Sequence, residues 1–175
     1  AWRRLLKNRL ALVGCALAAV ITLGSILAPW VSPYGMNEMN FLRTWEGPSA
    51  GHLLGTDNLG RDILTRVLYG GRVSLLVGLL SQVLVLVIGV TMGVLAGYFG
   101  GKVDTLVMRF TDVMLAFPDL LLVILFMTIL DSGLSSMVLA IGLGRWPLLA
   151  RLVRSTFLTM RESEMIEGDQ AIGAS

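Results

Sequence analysis

Few residues in this chain have side chains suited to covalent or metal chemistry. The 175 residues include one histidine, His52, and one cysteine, Cys15, on different parts of the chain. The sequence contains no Gly-x-x-x-x-Gly-Lys-Ser/Thr loop of the kind that cradles nucleotide phosphates. We therefore predict that the chain is not an enzyme, that it holds no metal or cofactor, and that it does not itself hydrolyse ATP.

The residues with the densest charge form the last segment, about 158–175. From Met160 it runs Met-Arg-Glu-Ser-Glu-Met-Ile-Glu-Gly-Asp-Gln-Ala-Ile-Gly-Ala-Ser. Charged residues alternate there with single apolar residues at helical spacing. A polar helical segment that follows an apolar chain indicates a surface where a soluble partner binds a membrane protein.

The composition of the chain indicates that this segment is attached to a membrane protein. Hydrophobic residues make up 55% of the chain and charged residues 15%, whereas soluble domains average about 25% charged residues. No charged residue occurs from Leu10 to Asn37 or from Val73 to Gly101. A helix needs about 20 apolar residues to cross a bilayer, so both stretches predict membrane spans. The net charge of +2 gives no reason to expect a nucleic acid partner.

We predict an all-α integral membrane fold with four spans, at about 10–28, 74–98, 106–130 and 135–152. Four basic residues and no acidic residue occur before the first apolar stretch. The positive-inside rule therefore places the N-terminus in the cytoplasm. The loop at about 32–72 then lies outside. Within it, Thr56 or Asp57 is predicted to cap a short amphipathic helix that begins at about Leu59 and lies along the membrane surface. This helix is either a spacer or a contact surface for a delivered substrate or its carrier.

The third and fourth spans carry polar residues. Because the charge-free run Leu120–Leu130 would make only about 16 Å of helix, the third span must begin earlier and kink at Pro118. Asp119 then either lines a polar cavity or caps the helix after the kink. Arg145 either extends towards the headgroups or lines a solvated path. Asp119 and Arg145 are thus candidates for a translocation path.

Two local spacings predict contacts of the spans. Gly89, Gly93 and Gly97 recur every four residues on one face of the second span, a pattern that lets a neighbouring helix approach closely. Arg109 and Asp112 are three residues apart and are predicted to form an ion pair near the inner boundary.

Several motifs of the chain resemble one known family. Glu167-Gly-Asp-Gln-Ala-Ile-Gly173 resembles the Glu-Ala-Ala-x-x-x-Gly loop of membrane subunits of bacterial ATP-binding-cassette importers. Gly55-Thr-Asp-x-x-Gly60-Arg-Asp and Gly70-Gly-Arg-x-Ser74-Leu are similar to the dipeptide, oligopeptide and nickel permeases. So is Gly97-Tyr-Phe-Gly-Gly, followed by Asp104, Arg109, Asp112 and Phe117-Pro118. This resemblance covers nearly the whole chain.

The resemblance implies an importer permease of the type I helical-bundle fold, shortened to about four spans and incomplete at its C-terminus. Its ATPase-coupling segment would be residues 158–175, with the coupling residues Arg161, Glu162, Glu164, Glu167 and Gly173. The implied partners are ATP-binding subunits that carry Mg-ATP, a second homologous permease, an extracytoplasmic substrate-binding protein and the bilayer of a bacterial inner membrane. Gly168 and Asp169 replace the family's alanines, and this difference predicts a weakened or differently docked coupling helix.

The function implied by the resemblance is ATP-driven import of di- or oligopeptides. Nickel or another small solute is an alternative cargo. A chain that only tethers a partner or forms a channel-like structure, without pumping, is an alternative of another class.

Overall fold

The computed structural model describes the backbone of residues 8–171 and the side chains of residues 8–161. Within this range the regular secondary structure is helical, with no strand; a loop joins Val31 to Ile63 and contains one isolated antiparallel bridge between Thr56 and Asp62. The six α-helices are α1 (Arg9–Ile26), α2 (Ala28–Val31), α3 (Ile63–Phe99), α4 (Gly101–Leu115), α5 (Asp119–Ile129) and α6 (Leu134–Ala171), with a short 3₁₀ turn at Phe41–Arg43.

The chain divides between Leu76 and Val77, inside α3, into two compact units. In the first unit, the side chain of Asn8 caps α1 by accepting hydrogen bonds from the backbone N–H groups of Leu10 and Ala11. The far end of α1 packs on the first turns of α3. A Cβ atom at Gly24 would lie 3.2 Å from Leu68, and a Cβ atom at Gly71 would collide with Ser25.

Helix α3 differs from its predicted form because it begins at Ile63 and continues without a break to Phe99. The cap is Asp62, whose Oδ2 accepts a 2.7 Å hydrogen bond from the N–H of Thr65. A separate surface helix from Leu59, capped by Thr56 or Asp57, is therefore replaced by the first turns of α3. The predicted loop at about 32–72 is correspondingly shorter, since the helical pattern of Ile63, Leu64, Val67 and Leu68 runs directly into the apolar stretch that follows.

The second unit is built around α6, which packs against both α4 and α5. Small side chains bring the helices close together. Ala96, Ala140 and Ala150 are buried, and Gly142 is placed where a Cβ atom would collide with Leu84 on α3. Trp146 and Pro147 are also buried, in the middle of α6. Pro147 does not interrupt this helix, which continues on both sides of it.

The region predicted as one kinked span at about 106–130 is two helices, α4 and α5, whose axes differ by 92°. Helix α4 ends at Leu115 and α5 begins at Asp119, immediately after Pro118. Proline disfavours the helical conformation in the residue before it and has no N–H group to donate. The chain therefore turns sharply here, where a single bent helix was predicted.

Three helices are long and apolar enough to cross a bilayer: α1, α3 and the part of α6 from Leu134 to Arg161. The bent pair α4–α5 would make a fourth span if its two helices are counted together. The described residues thus form an all-α membrane architecture with three or four candidate spans.

Candidate functional site

Two ion pairs join α4 to α6 and form a charged cluster of four residues, Asp104, Asp112, Arg151 and Arg154. The guanidinium group of Arg154 donates to both carboxylate oxygens of Asp104, with 2.5 Å between Nη2 and Oδ2. Such a two-point contact fixes the orientation of both groups. About 29% of the Arg154 side chain and 20% of the Asp104 side chain is exposed, so this pair is partly shielded by the protein.

The second pair of the charged cluster is more open. Nη2 of Arg151 lies 2.6 Å from Oδ1 of Asp112, and more than half of each side chain is exposed. The predicted pairing of Asp112 with Arg109 is therefore wrong, because Asp112 turns towards α6. Arg109 instead lines an open cleft of about 360 Å³ that the charged cluster also borders.

Aromatic packing supports the charged cluster from within the second unit. The rings of Phe110 on α4 and Trp146 on α6 stack with centroids 5.9 Å apart. Trp146 is 3% exposed and Thr111 is fully buried. This contact holds the middle of α4 on α6, so the paired charges are carried by helices that already touch.

The glycine face of α3 lies against the same region of α6. A Cβ atom at Gly89 would approach the side chain of Leu149 to 2.9 Å. One at Gly93 would lie 2.6 Å from the carbonyl oxygen of Ala150, and one at Gly97 would lie 3.0 Å from Phe157. The three glycines therefore allow a close approach of α6, and at Gly93 the atom that a Cβ would meet belongs to the backbone.

The predicted coupling residues follow this region along α6. Arg161 lines a cleft of about 570 Å³ together with Tyr98, Phe99, Phe157 and Met160. Glu162, Glu164 and Glu167 belong to α6 by their backbone, and their side chains lie outside the described set. Gly173 also lies outside the described residues.

The structure does not bring the two candidate path residues together with the charged cluster. Asp119 is the first residue of α5, and its side chain is exposed and makes no capping hydrogen bond. Arg145 is exposed on α6, next to the buried Trp146. A role for either residue in translocation stays a prediction.

The loop between α2 and α3, in the first unit, is organised by buried polar residues. Nδ1 of His52 lies 3.0 Å from Oδ1 of Asp62, and both side chains are less than a tenth exposed. Since an ionised carboxylate only accepts, Nδ1 carries the proton. The ring of Tyr34 stacks on His52, and its hydroxyl group donates to the carbonyl of Gly51. His52 is therefore a structural residue of this loop.

Asp62 also anchors the hydroxyl groups near it. Its Oδ2 accepts from the hydroxyl of Thr65 at 2.7 Å, and Thr65 is 2.6 Å from the hydroxyl of Ser32. Burial raises the pKa of Asp62, but the hydrogen bonds from Thr65 and His52 outweigh it and lower the pKa overall. The carboxylate is thus held in its charged form.

Asp57 forms a second anchor in the same loop. Its side chain accepts hydrogen bonds from the backbone N–H groups of Leu59 and Arg61 and contacts the guanidinium groups of Arg61 and Arg66. Burial raises the pKa of Asp57, but the backbone hydrogen bonds from Arg61 and Leu59 and the side chains of Arg61 and Arg66 lower it from 3.8 to about 2. The turn from 57 to 61 is thereby fixed.

The pairings within these clusters were not predicted from the sequence. Asp104 and Arg154 are 50 residues apart, and Asp112 and Arg151 are 39 apart, so no local spacing indicates either pair. The one sequence signal was the presence of acidic residues in an otherwise apolar helical region. Among the described residues, no cluster of three or more His, Cys, Asp or Glu side chains is arranged to hold a metal ion.

Comparison with known proteins places this architecture in a family. Residues 89–175 match the family described as "Binding-protein-dependent transport system inner membrane component". Residues 1–48 match the "N-terminal TM domain of oligopeptide transport permease C". The chain therefore belongs to the inner membrane components of binding-protein-dependent transport systems, in the group that carries this N-terminal domain.

Individual relatives align over almost the whole chain. It is 42% identical over 173 residues to a dipeptide transport system permease protein of Alkalihalophilus pseudofirmus, covering 99% of this chain and 57% of the relative. It is 39% identical over 171 residues to the oligopeptide transport system permease protein OppC of Bacillus subtilis, covering 98% and 56%. A glutathione transport system permease protein of Pectobacterium atrosepticum is 38% identical over 175 residues, with 99% and 58% covered. The chain thus spans somewhat more than half the length of these relatives.

Proposed function

We propose that this chain belongs to the permease subunit of an ATP-driven importer that carries di- or oligopeptides across the cytoplasmic membrane. The observation that carries this proposal is the 36–42% identity to dipeptide, oligopeptide and glutathione permeases over 98–99% of the chain. A match to a single motif would cover only part of the chain. These alignments include the loop between α2 and α3, the bent pair α4–α5 and the charged end of the chain.

The proposed orientation has the N-terminus and the end of α6 in the cytoplasm. Basic residues precede α1, and Arg151, Arg154 and Arg161 follow the apolar part of α6. Both groups fit the positive-inside rule. The loop between α2 and α3 would then face the outside, where a substrate-binding protein delivers its ligand.

The proposed energy source is a separate ATP-binding subunit that holds Mg-ATP. This chain lacks a phosphate-binding loop motif, and the family name specifies dependence on a binding protein. We infer a complex with two ATP-binding subunits, a second homologous permease and an extracytoplasmic binding protein. Residues 158–175 would dock on the ATP-binding subunit.

The proposed cargo is a peptide, because the relatives named above are permeases for dipeptides, oligopeptides or glutathione, which is itself a tripeptide. No observation on this chain favours nickel as the cargo. The described residues contain no metal-ligating cluster that would mark a path for nickel. A tether that does not pump is likewise unsupported by any contact in the described chain.

The experiment that tests the proposed assembly is affinity purification of the full-length gene product from its own membrane, followed by mass spectrometry. We expect an ATP-binding protein with a phosphate-binding loop and a second permease in stoichiometric amounts. Recovery of the chain without any ATP-binding protein, even after mild crosslinking, would contradict the proposal.

A further inference from the structure

Helix α6 meets two of its neighbours in the second unit, α3 and α4, in unlike ways. On one face it meets the glycines of α3, with close backbone contact and no ion pair among the described residues. On another face it meets α4 through the charged cluster, where each aspartate takes a different arginine. One contact is smooth and apolar, and the other is polar and directional.

This difference matters for any movement of α6 along its axis or about it. A glycine face offers few side chains that must change rotamer when the neighbouring helix slides, as in small-residue helix interfaces. A two-point guanidinium–carboxylate contact such as Arg154–Asp104 has a defined geometry, so the carboxylate must follow the guanidinium if the contact is kept. Movement of α6 would therefore shift α4 more than α3.

Helix α4 is also placed to pass such movement on. It stacks on α6 through Phe110 and Trp146, and it is joined to α5 by the sharp 92° turn at Pro118. Helix α5 packs on α6 as well. The three helices α4, α5 and α6 thus pack together, and the charged cluster joins α4 to α6.

We propose that Asp104 and Asp112 are positioning residues, which transmit movement of the cytoplasmic end of α6 to the bent pair α4–α5. This inference rests on the proposed function, in which residues 158–175, most of which belong to the end of α6, are moved by an ATP-binding subunit. It adds to that function a route within the permease: from Arg151 and Arg154 on α6, through Asp104 and Asp112 on α4, to α5. The aspartates take no part in ATP hydrolysis and need not contact the peptide.

The exposure of the charged cluster argues against a purely structural role. Partly exposed ion pairs contribute little net stability, because water solvates the separated charges well. Arg109 lines the same cleft.

The test uses the full-length permease in its complete complex, reconstituted in liposomes with its binding protein and a labelled dipeptide. The variants are Asp104→Arg, Arg154→Asp and the double exchange of both. The matched control is Lys102→Asp, which reverses an exposed charge on the same helix. The three readouts are peptide transported per ATP hydrolysed, the unfolding temperature, and the distance between spin labels on α4 and on the part of α3 after Val77, with and without ATP.

We expect each single reversal to lower the ratio of peptide transported to ATP hydrolysed by about 5-fold or more, the range of ordinary allosteric coupling. The double exchange should recover most of this ratio, and Lys102→Asp should behave as the wild type. The label distance should change with ATP in the wild type and in the double exchange, but not in the single variants.

Two results would overturn the inference while leaving the proposed function intact. One is a wild type that couples transport to ATP while the single reversals couple equally well. The other is a parallel loss of transport and ATP hydrolysis that follows a lower unfolding temperature, which marks a structural contact only. A wild-type complex without any ATP-dependent uptake would instead contradict the proposed function itself.

Discussion

The side chain of Asp62 makes three hydrogen bonds, and they serve different parts of the loop between α2 and α3. It caps α3 through the N–H of Thr65, it accepts from the hydroxyl of the same residue, and it holds His52. All of these groups are buried. The Asp62 carboxylate therefore joins the start of α3 to the His52 side of this loop.

Replacing Asp62 is predicted to loosen this loop in two steps. Asp62→Asn keeps a good helix cap but loses the charge that holds His52, so it should cost about 1–2 kcal/mol of local stability. Asp62→Ala also loses the cap and leaves His52 without an acceptor, so it should cost about 2–4 kcal/mol. Hydrogen exchange of residues 52–65 in the intact permease measures both effects.

The control for Asp62 is Asp131→Asn, which changes an exposed carboxylate between α5 and α6. It should leave exchange in the loop unchanged. Equal protection in Asp62→Ala and the wild type would show that this carboxylate does not organise the loop.

The lowered pKa of Asp57 predicts how the loop responds to acid. Its pKa is lowered from 3.8 to about 2, so its folded-state contacts stabilise the loop fully above about pH 4. That stabilisation is lost progressively as the pH falls from about 4 towards 2, because protonation removes the charge that Arg61 and Arg66 contact. Cleavage by pepsin, which is active in this range, should therefore increase at residues 55–63 as the pH falls.

Arg66→Gln tests the cause of this acid response. Removing one cation should raise the pKa of Asp57, so the increase in cleavage should begin at higher pH than in the wild type. The Asp57→Asn variant should be cleaved readily by pepsin at every pH in this range. A wild-type loop whose cleavage is flat between pH 4 and 2, after correction for pepsin activity, would contradict this assignment.

At the scale of helices, the close contact between α3 and α6 depends on glycines, which have no side chain. A Cβ atom at Gly93 would lie 2.6 Å from the carbonyl oxygen of Ala150 and 2.7 Å from Cβ of Val153. The carbonyl oxygen of Ala150 belongs to the backbone of α6 and cannot rotate away as a side chain could. The two helices must therefore separate if Gly93 is enlarged.

Gly93→Ala is predicted to destabilise the permease by about 1–3 kcal/mol, the usual cost of overpacking. The matched control is Gly78→Ala in the same helix, where a Cβ atom meets nothing within 4 Å. That control should be neutral or stabilising by up to about 1 kcal/mol, because alanine is the better helix former. Thermal unfolding in detergent distinguishes the two, and a stabilising Gly93→Ala would contradict the close approach.

The sequence predicted the helical elements better than their connections. Charge-free stretches of sufficient length located α1 and α3, since burial in lipid requires apolar residues throughout. The start of α3 was misplaced because Thr56, Asp57 and Asp62 are all good capping residues, and only the folded loop selects Asp62. The break at Pro118 was predicted as a kink, because proline marks the position of a turn but not its angle.

The site was less predictable than the fold. The spacing of Gly89, Gly93 and Gly97 identifies a face of α3 but not the helix that approaches it. Arg109 and Asp112 fit a local pairing rule, yet tertiary packing gives Asp112 to Arg151. Long-range ion pairs depend on how helices are arranged, and single-sequence spacing carries no information about that arrangement.

At the scale of the whole molecule, residues 158–175 would connect the membrane helices to the proposed energy source. Replacing Glu167 with Ala and Gly173 with Leu together should lower peptide uptake by about 10-fold or more, while the unfolding temperature of the membrane helices stays unchanged. The physical reason is that a coupling segment transmits force through a docked contact without holding the helices together. Uptake and thermal unfolding of the intact complex measure the two effects.

The matched control in this segment is Gln170→Ala, which alters a position outside the Glu and Gly of the motif. It should retain uptake. Normal uptake in the Glu167 and Gly173 double variant would remove the coupling role from this segment.

We propose that the complete permease moves peptides in an ATP-dependent manner. The most direct measurement is uptake of a labelled dipeptide into liposomes that contain the purified full complex, with its binding protein outside and ATP inside. We predict uptake that requires both ATP and the binding protein and that an excess of unlabelled dipeptide suppresses. Uptake that proceeds equally without ATP, or no uptake of any di- or oligopeptide by an intact complex, would contradict this account.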